Sequence, residues 1–198
     1  MTDALPQVEA GDASPRQSLS KRQASTVTAL LDAGLALLRE EGYDALTLRA
    51  VAARARVTHT TAYAYFTSKG HLVAEILWRR LADVPAPKPN PGAPLAKRVT
   101  EALSGPGLLF ADDPALSDAG LSALLLRDPD VRRLRDAIAL DLARRIETAL
   151  GPDTEAELRE AVLLAFSGAM LQAGMGYFDF AGAVQRVASM ATLLDRPQ

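Results

Sequence analysis

Two short helical segments, separated by only three residues, constrain the fold of this chain more than any other feature. Thr47 precedes one segment and Thr58 precedes the other. A threonine in this position is a preferred N-cap, because its hydroxyl oxygen accepts a hydrogen bond from a free backbone amide. We therefore predict helices over 47–54 and 58–65, joined by the turn 55–57. This spacing is typical of a helix-turn-helix unit.

Apolar residues repeat at helical spacing through most of the remaining chain, and strand-like alternation of useful length is not found. The sequence therefore predicts an all-α fold of about nine helices. Five prolines between positions 85 and 94 argue against a regular helix there, because proline lacks the amide donor and fixes φ. The predicted regions are a polar, disordered N-terminal arm (1–20), a helix-turn-helix domain of three helices (21–67), a connecting helix (68–83), a proline-rich loop (84–94) and a C-terminal helical body (95–198).

Several patterns predict where helices of the body begin or break. Asp113 and Asp128 each precede a proline, an arrangement that places the acid at the N-cap and the proline in the first turn. Thr154 and Glu157 have the spacing of a capping box and are expected to open a long apolar helix. The string SGPGLLF (104–110) predicts an interruption or a kink in the helix that contains it.

Charge is unevenly distributed along the chain. Residues 16–80 carry ten Lys and Arg against five Asp and Glu, residues 1–15 carry three acids and no base, and residues 81–198 carry twelve bases against sixteen acids. A basic segment beside an acidic body favours a polyanionic partner for the basic segment. Within the body, three arginines lie beside aspartates and are interpreted as a solvated face: Arg132, Arg133 and Arg135.

Other features of the sequence exclude several classes of chemistry. The chain has no cysteine and two isolated histidines, so neither thiolate chemistry nor a metal-ligand cluster is expected. Its serines lack the histidine and aspartate pattern of a nucleophile, so we expect no enzyme activity and no cofactor. A signal peptide is not seen, and we expect a cytoplasmic protein. Residues 161–178 carry no charge; a helix buried among others is favoured, and a membrane anchor is kept as an alternative.

The second short helix has an unusual composition for an exposed segment. The string RVTHTTAYAYF (56–66) contains three threonines, two tyrosines and one histidine. Threonine permits close approach to DNA, because its hydroxyl hydrogen-bonds phosphate and its methyl group can meet the methyl group of thymine. Tyrosine hydroxyls reach phosphates while their rings pack. The composition therefore indicates a nucleic-acid face on a helix positioned to enter the major groove.

The string GYDALTLRAVAARARVTHTTAYAYFTSKGHL (42–72) resembles the DNA-binding domain of the TetR family of bacterial transcriptional regulators. The shared pattern is Gly-aromatic, a threonine at the start of the second helix, Ser/Thr-x-x-Thr-x-Tyr-x-Tyr/His-Phe, and Ser-Lys before the fourth helix. The resemblance covers about residues 22–80. It implies a dimeric transcriptional regulator that binds double-stranded DNA.

The resemblance also implies which side chains contact DNA. Thr47 and Lys69 are expected on phosphates, Tyr63 and Tyr65 likewise, and Lys21 is expected near the neighbouring backbone. The full set of expected DNA contacts is Arg22, Thr47, Arg49, Arg56, Thr58, His59, Thr60, Thr61, Tyr63, Tyr65 and Lys69. Arg56 departs from the family, which often has glycine there. Its turn position is expected to be left-handed, which costs a non-glycine residue roughly 1–2 kcal/mol.

For the body, the resemblance implies ligand binding and dimerisation. The last two helices are expected to form a homodimer, whose two recognition helices would read a near-palindromic operator. Because the body helices carry few polar groups, the effector is expected to be a small apolar molecule. The protein is expected to be a repressor that this effector releases from its operator. The expected pocket residues are Trp78, Leu103, Leu109, Phe110, Leu124, Phe166 and Met170. A helical protein–protein interaction module whose helix-turn-helix does not bind DNA is the remaining alternative.

Overall fold

The computed structural model describes residues 21–194, apart from the side chains of Lys21 and Leu194. Within this range the chain forms nine α-helices and no strand, in agreement with the predicted all-α fold. The arm predicted over 1–20 lies outside the described residues. The helices are α1 (Lys21–Ala45), α2 (Leu48–Arg54), α3 (His59–Tyr65), α4 (Lys69–Ala82), α5 (Leu95–Asp112), α6 (Pro114–Leu124), α7 (Pro129–Leu150), α8 (Ala156–Gly174) and α9 (Phe180–Leu194).

The first three helices pack around one apolar core, to which α4 contributes. Leu30 of α1, Val51 of α2 and Phe66 after α3 are almost completely buried in it. α1 is interrupted at Gly42, whose φ of 80° is readily adopted only by glycine, so the chain turns there toward α2. Leu116 of α6 also lies in this core, so the N-terminal helices and the body share buried surface.

The short helices begin at the predicted caps. Thr47 Oγ1 accepts a hydrogen bond from the Ala50 amide at 3.1 Å, and Thr58 Oγ1 accepts one from the Thr61 amide at 3.1 Å. Each bond satisfies one of the free amides in the first turn of its helix. In helices of seven residues, such bonds are a large share of the local stabilisation.

Helices α5–α9, called the body below, surround a second apolar core. α5 packs along α9 and α7, and α8 packs against α9. Asp113 caps α6 through the Leu116 amide, and Asp128 caps α7, both as predicted. The expected cap of α8 was wrong, because α8 starts after Glu155 with no side-chain cap. Of the interruption or kink expected at SGPGLLF, the interruption is absent, because α5 continues through the buried Pro106.

The failed capping box at the start of α8 has a local cause. The Thr154 hydroxyl donates to the Leu150 carbonyl at 2.8 Å, so it completes the end of α7 instead of capping α8. For Pro106, packing of α5 against two neighbouring helices holds the helical path although one backbone hydrogen bond is absent. At Pro106 the tertiary environment overrides the local signal, whereas at Thr154 a competing local hydrogen bond does so.

α4 connects the N-terminal helices to the body. It packs on α1 on one side and on α6 and α7 on the other. After its last turn, the loop from residue 84 to residue 94 leads into α5, where the five prolines predict irregular chain. α4 is therefore in contact with both parts of the molecule, and only three residues separate its start from the end of α3.

Candidate nucleic-acid interface

Helix α3 is anchored by one face and exposed on the other. Ala62 is fully buried, and Phe66, which follows the helix, is 1% exposed. Thr58, His59 and Thr60 at the start of the helix are exposed to solvent. The buried anchor fixes the orientation of the helix, so the exposed first turn is presented on a rigid support.

The hydroxyl groups of α3 are not equally available. Thr58 Oγ1 and Thr61 Oγ1 lie 2.8 Å apart and share a hydrogen bond, and Thr58 Oγ1 also accepts the Thr61 amide. These two hydroxyls therefore stabilise the helix start while keeping part of their hydrogen-bonding capacity. His59 and Thr60 lie between them on the exposed turn, which makes them the side chains best placed to contact base edges.

The turn between α2 and α3 contains a strained arginine. Arg56 has a φ of 56° and is exposed, in agreement with the predicted left-handed turn. The Val57 amide donates to the Ala52 carbonyl at 3.0 Å, and the Arg56 amide donates to the Ala53 carbonyl at 3.1 Å. These two bonds form a Schellman motif, in which the left-handed position is usually glycine. A charged residue kept at such a position indicates a use for its guanidinium group.

Further expected contacts lie near the starts of α1 and α2 and on α3. Arg22 near the start of α1 and Arg49 in the first turn of α2 are exposed. Tyr63 is 55% exposed, a high value for a tyrosine ring. Tyr65 is half-buried against the N-terminal core, so its ring serves packing as well. Lys21 was expected nearby, but its side chain lies outside the described atoms.

Lys69, expected to bind phosphate, is engaged with the corner between α1 and α2. Its Nζ lies 4.4 Å from the centroid of the Tyr43 ring and donates to the Tyr43 carbonyl at 2.9 Å. A third contact reaches the Asp44 carbonyl at 3.5 Å. Burial raises the pKa of the Tyr43 hydroxyl, and the charge of Asp44 adds to this. Lys69 therefore ties the start of α4 to the α1–α2 corner, and its contact with phosphate stays a prediction.

An ion pair between Arg54 and Glu40 fixes α2 against α1. Arg54 donates to both carboxylate oxygens of Glu40, with a distance of 2.6 Å from Nη2 to Oε1. The hydrogen bond from Arg54 lowers the pKa of the Glu40 carboxyl, and the same bond raises the pKa of Arg54. Both groups are exposed, so the pair orients α2 more than it stabilises the fold.

The segment between α3 and α4 is bound to the body by side chains that the sequence did not single out for this role. Ser68 Oγ donates to Asp128 Oδ2 at 2.9 Å, and Thr67 Oγ1 donates to Asp130 Oδ2 at 2.9 Å. Asp128 was predicted only as a helix cap, a function that its other oxygen performs. Local sequence spacing carries no signal for bonds between residues about sixty positions apart.

A second polar contact joins α1 to the body. Arg39 donates from Nε and Nη2 to Asp113 Oδ2, at 3.0 Å and 2.6 Å. Asp113 is 6% exposed, and its other oxygen caps α6. The same aspartate therefore holds both the start of α6 and the end of α1. Helix caps of the body thus serve as attachment points for the N-terminal helices.

The side chains expected to line a pocket pack into the body core or against it. Leu103, Phe110, Phe166 and Met170 are buried there, and Trp78, Leu109 and Leu124 pack against it. Leu109 also lines a surface groove of about 330 Å³ at the end of α4. Each of these residues contributes to the core, whatever else it does.

Two further observations concern alternatives that the sequence left open. Within residues 21–194, no helix is long and apolar enough to cross a membrane, and this includes α8, which covers most of the uncharged stretch 161–178. In the same range, no group of three or more His, Cys, Asp or Glu side chains is arranged to hold a metal ion.

Comparison with known proteins identifies the class. The sequence model described as "Bacterial regulatory proteins, tetR family" matches residues 30–76, which contain α2 and α3. The uncharacterized HTH-type transcriptional regulator Rv0767c of Mycobacterium tuberculosis strain H37Rv is 40% identical over 179 residues, covering 89% of this chain and 84% of the relative. The HTH-type transcriptional repressor KstR of Rhodococcus jostii strain RHA1 is 35% identical over 127 residues, 64% of this chain and 59% of that protein.

The fold agrees with this class. The crystal structure of a TetR transcriptional regulator from Rhodococcus sp. RHA1 superposes with a TM-score of 0.71 at 19% identity, covering 88% of this chain and 97% of the other. The molecule is a helix-turn-helix transcriptional regulator that binds DNA. The chain belongs to the TetR family of bacterial regulatory proteins. Regulators of this family bind DNA as dimers and bind ligands.

Proposed function

We propose that this regulator represses its target genes by binding a near-palindromic operator as a homodimer, and that a small apolar molecule releases it. It acts in the cytoplasm of a bacterial cell, where the chromosome lies. The observation that carries the proposal is the exposed first turn of α3, held by the buried Ala62 and Phe66. His59 and Thr60 read base edges there, while Arg22, Arg49 and Arg56 bind phosphates.

Repression as the direction of control is supported by a relative. KstR, which is 35% identical over 64% of this chain, carries the name of a transcriptional repressor. We transfer that direction of control to this chain. Coupling to an effector requires a ligand whose affinity differs between the DNA-binding state and a second state. α4 is the element that transmits the difference, since it contacts α1, α6 and α7.

Dimerisation is supported by an apolar stripe on α8. Leu164 is 63% exposed and Met175 is 62% exposed, and Leu171 lies between them on the same helical face. The exposed Gly168 completes the stripe and permits close approach of a second helix. Leu193 of α9 is 60% exposed as well. An exposed apolar stripe of this kind is typical of a protein–protein interface.

Replacing the stripe by charge tests the homodimer. We expect the double variant Leu164→Glu/Met175→Glu to sediment as a monomer and to lose operator affinity, because two carboxylates cannot be buried at the interface. Leu108 of α5 is 51% exposed and lies on another surface, so Leu108→Glu serves as the matched control and should remain dimeric. A double variant that stays dimeric would exclude α8 as the interface.

Selection of DNA from a random pool tests operator binding. We expect enrichment of a motif with two-fold symmetry, whose half-sites lie about one or two helical turns apart. Arg49→Ala should weaken binding to the selected DNA, whereas Arg80→Ala on α4 should leave it unchanged. If no symmetric motif is enriched, the proposed operator binding is wrong. If a symmetric motif is enriched, the genes next to its occurrences in the source genome indicate candidate apolar effectors for displacement assays.

A further inference from the structure

The corner between α6 and α7 carries a concentration of positive charge in an otherwise acidic body. Four of the twelve bases in residues 81–198 fall within 127–135, whereas the same region of 118 residues contains sixteen acids. Three of these four arginines, called the arginine corner below, line one surface groove of about 540 Å³ with Asp128 and Pro129: Arg127, Arg132 and Arg135. All three are exposed.

The three nearby aspartates cancel this charge only in part, because two of them are bound within the protein and only Asp136 is exposed. Asp128 accepts hydrogen bonds from the α7 amides with one oxygen and from Ser68 with the other. Asp130 is bound by Thr67 and forms an ion pair with Arg133, the fourth arginine. Both carboxylates are therefore engaged within the protein. Arg135 donates one bond from Nη2 to the Leu126 carbonyl at 2.9 Å and stays exposed to solvent.

The arginine corner lies directly beside the start of α4. The bonds from Ser68 and Thr67 to the α7 cap hold the two segments together. The Leu126 side chain lies so close to α4 that a Cβ at Gly70 would be 2.3 Å from Leu126 Cδ1, so a larger residue there would displace this partly exposed side chain. Arg127 directly follows Leu126 in the sequence, so Arg127 lies close to the start of α4.

The start of α4 is in turn continuous with the proposed DNA face. Lys69 contacts Tyr43 and Asp44, which shortly precede the α2 cap Thr47. A path of direct contacts therefore runs from the operator-facing helices, through the start of α4, to the arginine corner. Lys69 lies on this path and the three arginines lie at its end, and positive groups in these positions suit contact with a DNA backbone.

We propose that the arginine corner binds backbone phosphates of DNA flanking the half-site that α3 reads. This inference rests on the proposed DNA binding and extends it to the body. Guanidinium groups suit the task because their forked donors match phosphate oxygens. The body then contacts DNA directly. A displacement of α6 and α7 therefore changes the affinity for DNA both through this contact and through α4.

The salt dependence of DNA binding tests this proposal. The probe is the operator selected from the random pool, in a duplex extended by about ten base pairs on each side, one helical turn. For the variant Arg127→Ala/Arg132→Ala/Arg135→Ala, we expect the slope of log K against log salt to become shallower by at least about 1.8. That change corresponds to the removal of one neutralised phosphate for each subunit of a dimer, at about 0.9 per phosphate.

A charge-matched variant separates a local effect from a general decrease in positive charge. Lys88→Ala/Lys97→Ala/Arg144→Ala removes three exposed charges from parts of the body remote from the α7 start. We expect this control to keep the wild-type slope within about 0.5, less than the value for one phosphate. We also expect the wild-type protein, but not the arginine variant, to lose affinity when the duplex is trimmed to the motif.

Two further comparisons keep the outcomes distinct. The double variant Arg127→Ala/Arg132→Ala preserves the bond from Arg135 to Leu126, and circular dichroism should show wild-type helicity for it. Equal salt slopes for the corner variants and the control would overturn the inference while leaving operator binding intact. Stabilisation of only the wild-type protein by pyrophosphate, with unchanged DNA slopes, would assign the corner to a small anion and also overturn it. Absence of any selected motif would instead refute the proposed function.

Discussion

The polar bonds that fix the N-terminal helices and those that fix the body differ greatly in the sequence separation of the residues they join. In the N-terminal helices, Thr58 caps α3 by binding an amide three residues away. In the body, Arg145 of α7 donates to the carbonyls of Leu81, Val84 and Pro85, about sixty residues earlier in the chain. The first kind of bond shapes one exposed helix, whereas the second attaches the end of α4 to α7. Stability should therefore depend more on the body, and DNA affinity more on the N-terminal surface.

The largest effect on stability is expected for Arg145→Ala. Arg145 is 5% exposed, and its removal leaves three carbonyls without this donor and Asp141 without its partner at 2.5 Å. We expect a loss of about 3 kcal/mol in the free energy of unfolding, measured with urea, because the hydrogen bonds of one buried guanidinium group are lost together. Arg144→Ala removes the exposed neighbouring arginine and should change stability by less than about 0.5 kcal/mol. Equal losses in the two variants would contradict the proposed attachment of α4.

An intermediate effect is expected for Thr58→Ala. Thr58 caps α3, so its replacement should lower the free energy of unfolding by about 1 kcal/mol. Thr60 is exposed within the same turn and forms no cap, so Thr60→Ala should leave stability within about 0.5 kcal/mol of wild type. Both variants should bind the selected operator more weakly in a fluorescence anisotropy titration. A stable but non-binding Thr60→Ala protein would separate recognition from folding, and unchanged affinity would remove Thr60 from the interface.

The same difference in sequence separation explains which features were predictable from sequence. Caps at Thr47 and Thr58 and the left-handed turn at Arg56 follow from rules that span a few residues, and the structure agrees with all three. The all-helical fold and the family could also be predicted, because apolar residues repeat at helical spacing along most of the chain and the motif in 42–72 matches at many positions. Which of the exposed residues touch DNA stays a prediction.

The features that escaped prediction depend on competing partners, which are local at Thr154 and tertiary at Pro106. Thr154 has the spacing of a cap but donates to Leu150 instead, and Pro106 stays helical inside the packed α5. Spacing reports which partners are possible within a helix turn. It carries no information about a competing partner supplied by another element.

The smallest effect on stability, with the opposite sign, is expected for Arg56→Gly. Glycine adopts the φ of 56° without the steric cost that an arginine bears, although glycine has more conformational entropy to lose on folding. We expect a net gain of about 0.5–1 kcal/mol in the free energy of unfolding. Operator affinity should fall in the same protein, because each subunit then neutralises one phosphate fewer and the salt slope becomes shallower by about 1.8.

Arg56→Ala distinguishes the two contributions of this residue. Alanine removes the guanidinium group but keeps a Cβ, so the backbone strain at a φ of 56° remains. We expect Arg56→Ala to bind DNA as weakly as Arg56→Gly, without the gain in stability. If the Ala and Gly variants are equally stable, strain at the turn is negligible; if both bind like wild type, the strain is not compensated by DNA. Opposite changes in stability and affinity in the Gly variant alone would mean that the regulator retains arginine at a glycine position in order to bind the DNA backbone.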